Sequence, residues 1–135
     1  MRTKSEKGQS LVEFALILPL LVITVLGIAE FSILLYDKAV LTNASREGAR
    51  FGIVARAPRY TADDIRPVVE AYCANHLITF GGSASVNVTA SHPVQQFGYD
   101  LTVTVTYPYS FLALPRFIGI GNTLNLRAVT VMKYE

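Results

Sequence analysis

No tryptophan occurs in this chain, only one cysteine, and no charged residue between positions 14 and 29. Each absence removes a class of protein. With Cys73 alone there is no internal disulfide, which excludes a disulfide-stapled secreted scaffold. The net charge of +2 is too weak for a nucleic-acid partner, and no basic stripe interleaves with aromatics. Cys73 and His76 have a Cys-x-x-His spacing, but zinc takes four ligands and no second pair is present, since His92 stands elsewhere. No metal is expected, and Cys73 reads as a small buried hydrophobe. No serine has a plausible base and orienting acid, and no glycine-rich loop opens a helix to hold phosphate. Neither catalytic residues nor a cofactor are expected.

What the chain does have is a charged intrusion at the mouth of an apolar run, in Lys7-Gly8-Gln9-Ser10-Leu11-Val12-Glu13-Phe14. A carboxylate at mid-bilayer costs about 2.5–3.5 kcal/mol even on the lenient insertion scale, so Glu13 calls for an explanation. A short basic leader, a small residue and then this lone acid form the layout of a prepilin-type processing site. A cut after Gly8 would create an amino group on Gln9, with Glu13 one helical turn away. That ammonium, with a pKa near about 8, would be largely charged at neutral pH and able to pair with Glu13 in its own chain or a neighbour. The plainer reading makes Glu13 an interfacial carboxylate favouring a helix N-terminus.

Glu13 and Glu30 would lie about 25 Å apart on a helix, slightly less than the hydrocarbon core. Apolar character resumes in Phe31-Ser32-Ile33-Leu34-Leu35-Tyr36, which puts the transmembrane part at about residues 11–36. Arg2, Lys4 and Lys7 against Glu6 favour a cytoplasmic N-terminus. Beyond the span, Val40, Ala44, Gly48, Phe51 and Ala55 recur at helical steps, so one helix is expected from about Ser10 to about Arg56, within a segment 9–57. Pro19 deletes the hydrogen bond to the Ala15 carbonyl, and either kinks or locally melts the helix, which would let subunits stack in a filament, or is an ordinary tolerated membrane proline. Ala44, Gly48 and Gly52 share one face, where close packing against the domain's own sheet or another subunit's helix would offset the propensity cost of two glycines, about 1 kcal/mol each.

The remainder, residues 58–135, reads as one small α+β domain. Thr61-Ala62-Asp63-Asp64 has capping-box spacing for a second helix running to about Leu77. Ile65, Val68, Val69, Tyr72 and His76 or Leu77 are expected on its inner side, and Pro67 in its first turn. Gly81-Gly82-Ser83 ends this unit, after which the period becomes two over residues 85–90, 101–107 and 124–134. A three- to four-stranded antiparallel sheet follows. The apolar, proline-broken stretch 108–118 reads either as cover for the sheet's second face or as an exposed partner-contact loop.

In this order, the pieces resemble the TadE-like minor pilins, or pseudopilins, of the tight-adherence (Flp) pilus machinery. Gly8 with Glu13-Phe14 looks like the family's processing site, and Asn43-Ala44-Ser45-Arg46-Glu47-Gly48-Ala49-Arg50 looks like its "A-x-REGAR" helix signature. Tyr107-Pro108-Tyr109 and the closing Met132-Lys133-Tyr134-Glu135 are also similar. The resemblance implies a pilin-like fold, cleavage by a prepilin peptidase after residues 1–8, and insertion in the bacterial inner membrane with the domain periplasmic. It further implies partnership with other Tad/Flp pilins, with the inner-membrane assembly platform and with membrane lipid. Gln9 departs from the aromatic first residue of better-known pilins. Two alternatives remain open: a secreted domain released by ordinary signal peptidase after Ala29, and a membrane-anchored binding module unrelated to pili.

Overall fold

The computed structural model describes residues 4–92, 94–112, 121 and 123–134, with side chains described from residue 8 onward. The leader residues 1–3 and stretch 113–118 of the apolar segment therefore lie outside the described residues. Five elements follow in order: α1 (Lys4–Gly52), α2 (Ala62–His76), β1 (Asn87–Ser91), β2 (Asp100–Ser110) and β3 (Thr123–Lys133). The strands form one antiparallel sheet in the order β1-β2-β3. Fold class is α+β in a pilin-like arrangement, with three strands.

The sheet buries one face, as its alternation requires. Leu101, Val103, Val105, Tyr107 and Tyr109 of β2 point inward, between Thr102, Thr104 and Thr106 of the other face. Leu126 and Ala128 of β3 and Val88 of β1 extend that inner face. Against it pack α2, through Ile65, Val69 and Cys73, and the second half of α1, through Leu41, Ala44 and Ala49. Cys73 is completely buried, as its apolar setting in the sequence suggests.

Four elements differ from the sequence-based expectation. Helix α1 stops at Gly52 instead of continuing to Arg56. Gly52 is the last point where its backbone touches the core, and the chain then turns so that Phe51 and Tyr60 rings meet at 4.1 Å. Helix α2 begins at Ala62, which puts Pro67 beyond the first turn. The capping box fixes that start: Asp64 accepts from the Thr61 backbone N–H at 2.8 Å, and exposed Pro67 leaves only the Asp63 carbonyl to solvent. Strand β1 is shifted to Asn87–Ser91. Strand β2 passes through Pro108 to Ser110, whereas a break was expected there. The physical reason is register: β1 reaches only as far as Asn87 opposite Thr106, so at Pro108 strand β2 is paired on one side only, an edge position where a proline is tolerated.

Candidate functional site

The candidate site is α1 itself, and burial divides it into two parts. From Gly8 to Ala29 every residue is exposed or half-exposed, including Leu11, Phe14, Leu16, Leu20, Val25 and Ile28. No described domain residue covers this stretch, and its composition and length suit a membrane crossing or a signal sequence. From Glu30 onward one side of the helix is packed: Glu30, Asp37, Val40, Leu41, Ala44, Ser45, Gly48 and Ala49 are buried.

At the N-terminal end Gly8 is exposed, with open space where a Cβ would be. Gln9 Nε2 donates to Glu13 Oε1 at 3.3 Å, so the carboxylate leans back one turn to reach residue 9. Both side chains are exposed. The helix remains continuous through Pro19, without a melted turn in this state.

Glu30 marks the boundary between the two parts. Its side chain is only 5% exposed, and its carboxylate accepts a hydrogen bond from the Leu112 backbone N–H. Its own carbonyl accepts from the Tyr109 hydroxyl at 3.5 Å. Two turns further on, buried Asp37 accepts from the Ile78 backbone N–H at 3.0 Å, just past the end of α2. The next residue, Lys38, donates to the carbonyl of Arg127 on β3. These contacts fasten the helix to the chain just past β2, to the chain just past α2 and to the middle of β3. Sequence reading placed Glu30 at a membrane edge, but its engagement by Leu112 could not be read from local pattern.

The segment 44–50 supplies the tightest packing. Ala44, Ser45, Gly48 and Ala49 face inward while Arg46, Glu47 and Arg50 are exposed. A Cβ on Gly48 would meet Val69 Cγ2 at 2.4 Å and Ile65 Cγ2 at 3.3 Å. One on Gly52 would meet Leu101 Cδ2 at 2.5 Å and Ile65 Cδ1 at 2.7 Å. Ser45 Oγ lies 2.6 Å from Thr130 Oγ1, joining the helix to β3 by a hydroxyl pair. Small residues here let helix, helix and sheet meet with almost no side-chain spacer.

Elsewhere, a pocket of about 570 Å³ lies between the 78–85 segment and the end of β2. Its described lining carries serine, threonine and tyrosine hydroxyls but no titratable acid–base pair. Among the described residues no cluster of His, Cys, Asp and Glu is arranged to hold a metal. Burial pushes the Cys73 thiol up to about 11, with Glu70 adding to the shift, so it is a poor nucleophile or ligand at neutral pH.

No curated protein and no solved structure gives a significant match to the chain. The family model of TadE-like proteins matches residues 8–50, from the exposed glycine at the start of the bare stretch to the last arginine of the tightly packed segment. Over the helix that organises the whole fold, this chain is thus similar to the TadE-like proteins.

Proposed function

We propose that this protein is a minor pilin of a Tad-type pilus, cut after Gly8 by a prepilin peptidase and held in the inner membrane by residues 11–36 until it joins an assembly complex. The family match, which belongs to a pilin-like structural family and not an enzyme family, supports a Tad pilus context. The observation that carries the finer reading is the Gln9–Glu13 contact at the bare end of α1. A carboxylate already turned toward residue 9 is positioned to receive the amino group that cleavage would create there. In an apolar surround the two charges are each costly alone and far less so together. Partners on this reading are the peptidase, other Tad pilins, the assembly platform and lipid.

A second reading has one observation in its favour. Packing onto the domain begins at Glu30, so a signal-peptidase cut after Ala29 would release a complete domain. Against it, the cut would fall within an unbroken helix, one residue from the hydrogen bonds of Glu30.

Intact-mass measurement of the mature protein separates the two, because it begins at Gln9 on the first reading and at Glu30 on the second. Gly8→Leu should in addition leave the leader attached, since a small residue is required before the cut. A normally processed Gly8→Leu protein would overturn the prepilin reading.

A further inference from the structure

Helix α1 carries two requirements at the same height. On its free side Ile28, Phe31, Leu35 and Tyr36 remain exposed, so the apolar surface continues for about 9 Å beyond Glu30. On its other side the domain is already clamped, by Glu30 to the Leu112 N–H and by Asp37 to the Ile78 N–H. Residues 11–29 alone would cross about 28 Å, close to the hydrocarbon thickness of about 30 Å. The apolar band above Glu30 therefore begins in the headgroup layer, about 5–7 Å deep on each side of the core. Leu112, clamped to Glu30 at the foot of this band, shares the layer, while the Asp37–Ile78 clamp lies about 10 Å higher, at its outer edge.

The clamped part of the domain has the surface for it. Phe80 is 54% exposed and Leu112 58% exposed, with Ile78 partly exposed beside them. They border the recess at the end of β2, whose described lining contains no charged residue. A base that is uncharged among the described residues and bears exposed aromatic and aliphatic side chains fits the membrane–water interface, where aromatic residues are enriched.

We infer that the base of the domain, carried by Phe80 and Leu112, is a lipid-contacting surface that rests in the interfacial layer of the bilayer, so that the domain sits on the membrane and does not stand away from it. This rests on the reading that α1 spans the membrane. It commits to lipid as the occupant because the surface is continuous with the lipid-facing side of α1.

The test uses the full chain reconstituted in phosphatidylcholine vesicles containing lipids spin-labelled at shallow or deep acyl positions. Single cysteines are introduced as F80C and L112C and labelled with an environment-sensitive fluorophore. Native Cys73, buried and with its thiol pushed up to about 11, stays unlabelled at neutral pH. F97C is the control for exposure alone, because Phe97 is apolar, 82% exposed and lies toward the Asp100 end of the sheet. That end is about 34 Å from Ser110 along β2. L21C reports on the span.

The expected result is deep quenching at L21C and shallow-label quenching at F80C and L112C several-fold above that at F97C. Quenching at L21C with F80C and L112C no different from F97C overturns the inference and leaves the span intact. Absence of quenching at L21C overturns the spanning reading and the inference with it.

Discussion

Gly48 of α1 and Val69 of α2 are so close that a Cβ on the glycine would sit 2.4 Å from Val69 Cγ2. Two helices and the sheet meet at this point, with Val103 Cγ1 also only 3.6 Å from the same position. The second half of α1 is thus part of the domain's core, while its first half has no packing partner among the described residues. This split gives one helix two environments.

Gly48→Ala should destabilise the domain even though alanine gains about 1 kcal/mol in helix propensity. Val69 is β-branched and cannot swing its methyl away freely, so overpacking of about 1–3 kcal/mol outweighs the gain. Val69→Ala removes the obstructing methyl. The double variant should be markedly less destabilised than the sum of the two singles. Denaturant unfolding of the full chain in mild detergent supplies the cycle, and simple additivity would mean that the two residues do not press on each other.

The periodicities carried much of this architecture because they report burial on one face. Thr102, Thr104 and Thr106 alternating with Leu101, Val103 and Val105 can only be a half-buried strand. Capping at Thr61 was equally local. What local pattern could not supply was any fact about register or long-range partners. Pro108 looked like a strand breaker because its tolerance depends on where β1 stops. Glu30 looked like an interfacial charge because Leu112, its hydrogen-bond donor, is far away in sequence. The same holds for Ser45, whose partner Thr130 gives no sequence signal at all.

Ser45 and Thr130 allow that pairing to be measured. Ser45→Ala should cost about 1 kcal/mol, because it leaves the Thr130 hydroxyl half-buried without its partner. Adding Thr130→Val, which replaces the hydroxyl by a methyl of similar shape, should recover most of the loss. If the second substitution deepens the loss instead, the 2.6 Å contact contributes little to stability.

Stability should fall at both extremes of pH, for separate reasons. Asp64 is held below its usual range by the hydrogen bonds from Thr61, so its contribution is present above about pH 4 and is lost as pH falls through the lower folded value. Cys73 behaves in the opposite direction, its thiol pushed by burial from 9.0 to about 11. Below pH 9 the thiol is neutral whether folded or unfolded. Between pH 9 and about 11 only the unfolded form ionises, and stability declines. Buried Tyr134, also raised by burial, adds an alkaline loss of its own. Comparing pH-dependent unfolding of the native chain with Cys73→Ala isolates the thiol: the alkaline slope should become shallower in the variant.

Glu13→Gln addresses the proposed assembly step. The substitution keeps the side chain's length and its ability to hydrogen-bond toward residue 9, and removes only the charge. Insertion should be preserved, because an uncharged residue enters the apolar segment more easily. Cleavage after Gly8 should also proceed, since the small residue before the cut is untouched. The domain should retain its stability, because Glu13 lies about 25 Å from Glu30, where packing begins. What should be lost is association with other pilins, where the carboxylate would meet a Gln9 ammonium. The measurement is cross-linking or co-purification with the major pilin, comparing native and variant chains at equal membrane levels. Restoring the charge with Glu13→Asp should recover part of the association. Undiminished assembly by Glu13→Gln would instead make Glu13 a simple interfacial charge, with no role in meeting a neighbouring subunit.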